Sequence, residues 1–189
     1  MTAQGATQGA TQALAQAAVQ AAASHEDRLA AARAALAAKP DGVIEAVARQ
    51  HGVASRDVLA MLPPSEAVFA PASAFADIWQ DMTGWGEILF IVNTPDIVLE
   101  CHGTLPAGSS AQGWFNVHGD SPIGGHIKAD NCREVGFVDR KFHGRRSCSI
   151  QFYNAAGEAM FKVFVRRDAE RQLLPEQTAR FEALRARYA

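Results

Sequence analysis

One stretch of sequence decides the fold: Ser147-Cys-Ser-Ile-Gln-Phe-Tyr153, then Asn154-Ala-Ala-Gly157, then Ala159-Met-Phe-Lys-Val-Phe-Val-Arg166. Apolar and polar side chains alternate along both arms with the period of two that is typical of strands with one buried face. Glycine accepts positive φ, so the segment between the arms suits a tight turn. The pattern predicts a β-hairpin, and with it an antiparallel sheet.

The segments before this hairpin repeat the same pattern and are joined by connections short enough for further hairpins. Thr94-Pro-Asp96 is the clearest turn among them. After Asp168 the period becomes helical, and Pro175 suits a first helical turn. The sequence therefore predicts an α+β fold with a large antiparallel sheet and a C-terminal helix. The remaining predicted strands are Glu87–Asn93, Ile97–Thr104, Gly113–His118, and Gly125–Lys128 leading to Glu134–Phe142.

The N-terminal part of the chain has a different composition. Every aromatic residue lies at or after Phe69, and residues 1–24 are a low-complexity mixture of Ala, Gln, Thr and Gly. Such a segment has too little apolar bulk to offset the entropy of ordering, so we expect a disordered tail. Residues 25–66 predict a small helical unit and residues 67–189 the sheet and C-terminal helix, with 25–189 forming one structural domain.

Three helices are predicted within the helical unit. The first covers Glu26–Ala38, and the second carries Val43 and Val47 on one face. Gly52 supplies a left-handed stop for the second helix. The third covers Arg56–Leu62, with Ser55 as its N-cap. The spacing of this unit also resembles a helix-turn-helix, but its last helix has a single basic residue, so packing is favoured over DNA binding.

Composition and charge narrow the class of protein. The chain has 189 residues and a formal net charge of −2, so no overall field draws it to nucleic acid or to an anionic membrane. Its three cysteines are unclustered, which argues against a disulfide framework and a structural zinc site. The apolar stretch 14–23 lacks the basic leader of a secretory signal. We expect a cytoplasmic protein that does not interact with a membrane.

The segment Asp120–Cys132 is the most informative candidate site. Two adjacent glycines before a strand permit close approach of a flat or bulky group to the backbone. His126 offers an imidazole, and Lys128 shares its face by the period of two. A histidine beside a cation suits a metal-bearing anionic ligand. In the alternative interpretation the glycines form a bulge, His126 is hydrogen-bonded and Lys128 is solvated.

Several motifs in one order resemble the HutX/ChuX family of cytosolic haem-utilisation carrier proteins. The resemblance covers about Lys39 to Phe181. The motifs are Pro40-Asp-Gly42, Trp85-Gly86, Asp96-Ile-Val-Leu-Glu100, Gly103-Thr-Leu-Pro106, Gly125-His-Ile-Lys-Ala-Asp-Asn-Cys132, Arg140-Lys-Phe142, Arg167-Asp168 and Arg171-Gln-Leu-Leu174.

The resemblance implies a fold, a function and a partner. The family is similar to the haem-degrading HemS/ChuS proteins, with a large curved antiparallel sheet and a homodimer that resembles their two-repeat chain. Family members bind haem in the bacterial cytoplasm and deliver it to a haem-degrading enzyme. The resemblance therefore implies a non-catalytic haem carrier. A haem-degrading enzyme and a helix-turn-helix DNA regulator are the alternatives.

The resemblance also implies individual site residues. The histidine that the family presents to haem iron falls on His126, whereas the position of a second candidate histidine is occupied by Asn93. An amide is a poor ligand for haem iron, so three alternatives stay open: five-coordinate iron, a water ligand, or recruitment of His102, His118 or a cysteine.

Apart from the resemblance, haem needs cations for its propionates, and a local excess of positive charge is supplied by Lys128, Arg140, Lys141, Arg145 and Arg146. For the arginines, a solvated hairpin tip around His143-Gly144 is the alternative. Haem also needs apolar walls, which Trp114, Phe115, Phe152 and Phe164 could supply; for each of them an ordinary core position is the favoured alternative.

Overall fold

The computed structural model describes residues 24–189, so the predicted tail at 1–24 lies, except for its last residue, outside the described residues. The helices are α1 His25–Ala38, α2 Ile44–His51, α3 Ser55–Leu59, α4 Phe75–Met82 and α5 Pro175–Arg185. The strands are β1 Ala67–Pro71, β2 Glu87–Asn93, β3 Val98–Thr104, β4 Gly108–Ala111, β5 Trp114–Val117, β6 Gly125–Ile127, β7 Cys132–Phe142, β8 Arg145–Asn154 and β9 Ala159–Phe164.

Two sheets make up the fold. The large sheet has the order β1-β7-β8-β9-β2-β3, and the small sheet has the order β4-β5-β6. Every strand pair is antiparallel. The hairpin predicted from Ser147–Arg166 lies at the centre of the large sheet, where Phe152 pairs with Phe161. The predicted α+β class with a large antiparallel sheet is confirmed.

The structure corrects three details of the sequence-based prediction. The strands β1 and β4 and the helix α4 were not predicted. The candidate that ran from Gly125 to Phe142 is two strands in different sheets, because a short 3-10 turn, Ala129–Asn131, separates them. Ser55 does not cap α3: Ala54 occupies the N-cap position, and the Ser55 hydroxyl donates to the Gly157 carbonyl at 3.1 Å.

The main core lies between one face of the large sheet, α4, α5 and the small sheet. Phe75 is central to it, with ring centroids 5.1 Å from Phe152 and 5.2 Å from Phe115. Phe75, Trp79 and Met82 recur at the three-to-four-residue spacing of an amphipathic helix, and all are buried. The burial of these large rings is the main stabilising contribution on this face.

The helical unit α1–α3 packs on the opposite face of the large sheet, over β1 and β7. Val58 and Leu59 of α3 are fully buried there beside Val138. Phe137, the neighbour of Val138, lies in the main core instead, so β7 is buried on both faces. Gly52 ends α2 with φ of 62°, as predicted. Because the unit covers only one end of this face, β9, β2 and β3 line an open cavity beyond it.

Candidate functional site

The small sheet carries His126 on its outward face. Phe115 and Val117 of β5 are buried in the main core, so the alternate residue Asn116 points away from it. His126 lies directly opposite Asn116 in the β5–β6 register. A Cβ on Gly108 of β4 would lie 2.0 Å from the Phe115 ring, so a glycine is required there for the strands to approach.

Two hydrogen-bonded contacts hold the outward face together. The Nδ1 atom of His126 lies 2.7 Å from Oδ1 of Asn116. The ammonium of Lys128 donates to the Gly113 carbonyl at 3.2 Å and lies 3.9 Å from the centroid of the Trp114 ring. The Trp114 and His126 ring centroids are 6.2 Å apart. His126 and Lys128, both exposed, are therefore gathered around one partly exposed tryptophan.

A cavity of about 610 Å³ lies beside β6, and His126 and Lys128 are among the residues that line it. Its volume falls within the range of small-molecule sites, and most of its lining is apolar. The lining side chains come from α4, β2, β3, β5, β6, β9, the loop before β6, and Lys128 just after β6. The apolar ones are Trp79, Phe90, Val92, Leu99, Val117, Pro122, Ile123, Ile127, Met160 and Phe161.

The loop before β6 is fixed against β3. The Ser121 hydroxyl donates to the Thr104 carbonyl at 2.7 Å and accepts from the Ile123 amide at 3.1 Å. A Cβ on Gly103 would lie 2.9 Å from Pro122, so a glycine is needed for this contact. Gly125 enters β6 with φ of 136°, a conformation that favours glycine. These contacts place Ile123 as a buried wall of the cavity beside His126.

Asn93 and His126 are not brought together. Phe90 and Val92 of β2 line the cavity beside β6, whereas Asn93 lines a second cavity of about 440 Å³ on the opposite face of the large sheet. His102 of β3 also lines this second cavity. Within residues 24–189, the two positions proposed for iron ligands therefore belong to different cavities.

Arg140 also lies on the second cavity, where it is buried. Its guanidinium donates to the Gly42 carbonyl at 3.0 Å and to the Pro40 carbonyl, which join α1 to α2. Burial lowers the pKa of this guanidinium from its ordinary value. Lys141, the next residue, is exposed and lies opposite Arg146 in the β7–β8 register. Neither cation reaches the cavity beside β6.

Sequence reasoning did not identify Lys162, which is a buried charge in the second cavity. Its ammonium forms an ion pair with Glu45 of α2, and the two side chains are only 8% and 12% exposed. Burial lowers the pKa of Lys162 to about 8. In sequence Lys162 resembles an ordinary solvent-facing residue of an alternating strand. The helical unit that covers it is what makes the position buried.

The aromatic residues proposed as walls are distributed differently. Trp114 lies beside His126, but Phe115 and Phe152 are buried in the main core, and Phe164 lines the second cavity. Phe90 and Phe161, with ring centroids 5.1 Å apart, contribute aromatic walls near His126 instead. The period of two along β2 puts Phe90 on the same face as Val92, so this pattern could have predicted Phe90 as a wall of the cavity beside β6.

Two of the three cysteines and the arginine considered for DNA binding are buried or paired within the fold. Burial raises the pKa of the Cys148 thiol to about 12 and also raises that of Cys132, which makes both poor nucleophiles. Arg56, the one basic residue of α3, is paired with Glu134 at 2.6 Å.

Within residues 24–189 no three His, Cys, Asp or Glu side chains are grouped to hold a metal ion. The same residues include no helix with the length and hydropathy to span a membrane.

The chain is similar in sequence to a known protein family. The family model described as haem utilisation ChuX/HutX matches residues 68–184. This protein belongs to that family. An intracellular heme transport protein, HutX, from Vibrio cholerae is 33% identical over 144 residues, which cover 76% of this chain and 75% of the relative.

Solved structures of relatives agree with this family membership. A crystal structure of an Agrobacterium tumefaciens protein is 58% identical, with a TM-score of 0.82 and coverage of 87% of this chain and 93% of that one. The heme binding protein ChuX is 37% identical, with a TM-score of 0.75 and coverage of 82% and 97%. PhuS from Pseudomonas aeruginosa, at 18% identity and a TM-score of 0.65, shares the fold over 46% of its own length.

Proposed function

We propose that this protein binds haem in the cavity beside β6 and carries it inside the cell, with His126 as the axial base of the iron. One observation carries the proposal: the imidazole of His126 lies at a largely apolar cavity of about 610 Å³. The names of two relatives support it, because one is an intracellular heme transport protein and the other a heme binding protein.

The residues around the cavity fit the three chemical parts of haem. The macrocycle is flat and apolar and suits walls such as Phe90, Val92 and Phe161. The iron takes an imidazole nitrogen, which His126 offers. The propionates are anions, and Lys128 is the cation that lines the same cavity. Arg140 and Lys141 are not among the residues that line this cavity, so the proposal assigns the propionates to Lys128.

The exposure of His126 and Lys128 suits a carrier, which must release what it binds. Both side chains reach solvent, so the iron ligand and the propionate contact are accessible to an acceptor protein. We include delivery of haem to a haem-degrading enzyme in the proposal. In this function the protein itself leaves the macrocycle intact.

The proposal also includes a homodimer. The edge strand β3 and the turn before it expose Ile97, Val98 and Leu99, each 55–57% exposed. An unpaired strand edge with exposed apolar side chains favours association with another chain. Light scattering during gel filtration would give twice the chain mass for a homodimer and the single chain mass if this part of the proposal is wrong.

An absorbance titration with haemin tests the proposed function. We expect saturable binding near one haem per chain in the wild type. His126→Ala should weaken binding at least tenfold, about 1.4 kcal/mol, and shift the Soret band. His102→Ala is the matched control, because His102 lies on the second cavity, and its affinity and spectrum should match the wild type.

Two outcomes would contradict this proposal. Absence of saturable binding would remove haem as the cargo. Unchanged affinity and spectrum in His126→Ala would remove His126 from the site. A separate incubation of the haem complex with an electron donor distinguishes carriage from degradation: a carrier keeps its Soret absorbance, whereas a degrading enzyme loses it and releases iron.

A further inference from the structure

We propose that Asn116 is a positioning residue that keeps the proton of neutral His126 on Nδ1 and so leaves Nε2 as the nitrogen that binds iron. The iron-binding part of this inference rests on the proposed haem function. The part that concerns the proton does not, because it follows from contacts within the chain.

The orientation of the Asn116 amide is fixed by its neighbours. Its Nδ2 atom lies 3.3 Å from each of three main-chain carbonyl oxygens, those of Ser109, Ala111 and Trp114. An amide nitrogen donates and an amide oxygen only accepts. If the amide were turned over, Oδ1 would face three other acceptors. The NH2 group therefore faces the carbonyls of β4 and β5, and Oδ1 faces His126.

The fixed amide determines the proton position on His126. Oδ1 of Asn116 accepts at 2.7 Å, so Nδ1 of His126 must be the donor. In a neutral imidazole only one nitrogen carries a proton, and the hydrogen bond made by one nitrogen sets the role of the other. Nε2 is therefore left with the free lone pair, which is the atom a metal requires.

Strand pairing holds the contact between Asn116 and His126 in place. Asn116 and His126 are directly opposite in the β5–β6 register, and Phe115 and Val117 anchor β5 in the main core on either side of Asn116. The strand pairing therefore holds both side chains on one outward face. Preorganisation of this kind lowers the cost of ordering the ligand when it binds.

The choice of an amide in place of a carboxylate has a consequence for release. A carboxylate that accepts from a ligating histidine raises the basicity of the imidazole and strengthens its bond to the metal. The Asn116 amide carries no charge, so it fixes the tautomer with a smaller increase in basicity. This arrangement orients the iron ligand and still allows it to dissociate, as transfer to an acceptor requires.

Nitrogen NMR of the haem-free protein at a pH where His126 is neutral tests the inference. We expect His126 to be protonated on Nδ1 in the wild type and in Asn116→Asp, which retains an acceptor. In Asn116→Ala the proton should redistribute to Nε2. Asn93→Ala is the matched control, since Asn93 lies on the other face of the large sheet, and it should leave the wild-type tautomer unchanged.

Wild-type His126 protonated on Nε2, or an unchanged tautomer in Asn116→Ala, would overturn the inference. Because these spectra need no haem, they decide it even if the haem titration fails. Circular dichroism confirms that each variant is folded, and Asn116→Asp serves as the second variant if Asn116→Ala does not fold.

The haem complex gives a second readout that a purely structural role would not change. The iron–histidine stretching frequency of the ferrous complex should rise in Asn116→Asp and fall in Asn116→Ala relative to wild type. The haem affinity of Asn116→Ala should fall about 10-fold to 100-fold, the usual effect of losing an outer hydrogen-bond partner of a ligand. Identical frequencies in all three proteins would contradict the proposed role of Asn116 toward iron.

Discussion

The two cavities on opposite faces of the large sheet use their polar side chains in different ways. Beside β6, His126 and Lys128 are exposed at an apolar space. On the other face, Lys162 is buried with Glu45, and Arg140 is buried against main-chain carbonyls. One cavity is lined by exposed ionisable groups, and the other pairs its charges within the chain.

We expect the two cavities to have different roles, one in haem binding and the other in stability, although the same sheet lines both. The side chains of β2 alternate between the two cavities, with Val92 on one side and Ile91 on the other. The buried charges of the second cavity join the helical unit to the sheet, because Glu45 belongs to α2 and Arg140 contacts the turn between α1 and α2. We therefore expect substitutions there to change stability and substitutions beside β6 to change haem affinity.

Removal of the Lys162 charge should have the largest effect on stability. Lys162→Met leaves Glu45 buried without its partner, and an uncompensated buried charge costs about 3 to 5 kcal/mol. Urea denaturation at pH 7 measures the free energy of unfolding. The double variant Lys162→Met, Glu45→Leu should recover most of the loss, since an apolar pair can replace a buried ion pair. A loss below about 1 kcal/mol in the single variant would show that the pair does not hold α2 on the sheet.

Removal of the Arg140 guanidinium should have a smaller effect. Arg140→Met keeps much of the apolar volume but leaves the Pro40 and Gly42 carbonyls without their donor, which costs about 2 kcal/mol. The adjacent exposed residue gives the control: Lys141→Met should change the free energy of unfolding by less than about 0.5 kcal/mol. Both variants should bind haemin as the wild type does. Weakened haemin binding by Arg140→Met at unchanged stability would mean that the two cavities are not separate in function.

Much of the sheet could be predicted from local pattern. The hairpin around Asn154–Gly157 and the strands β2, β3, β5 and β9 follow the period of two, and the predicted strand lies within two residues of the observed one at each end. Pro175 begins α5 as expected. By contrast, α4 was not predicted, although Phe75, Trp79 and Met82 have helical spacing. This helix has only eight residues and lies between strands, so its helical period was not separated from their period of two.

The surroundings of the site residues could not be predicted in the same way. His126 and Lys128 were found because a pair of glycines and a period of two are local features. The opposite orientations of Asn93 and Val92 depend on which cavity each face of β2 lines. The hydrogen bonds of Arg140 and the ion pair of Lys162 join segments about 100 residues apart in the sequence, and no local pattern records such contacts.

A matched pair of substitutions on β2 tests the central claim most directly. Val92→Trp would fill the cavity beside β6, whereas Ile91→Trp adds the same side chain to the second cavity. Haemin titration followed by absorbance should show at least a tenfold loss of affinity, about 1.4 kcal/mol, for Val92→Trp and wild-type affinity for Ile91→Trp, with folding verified by circular dichroism. The reverse order, or equal losses in both variants, would contradict the assignment of haem to the cavity beside β6.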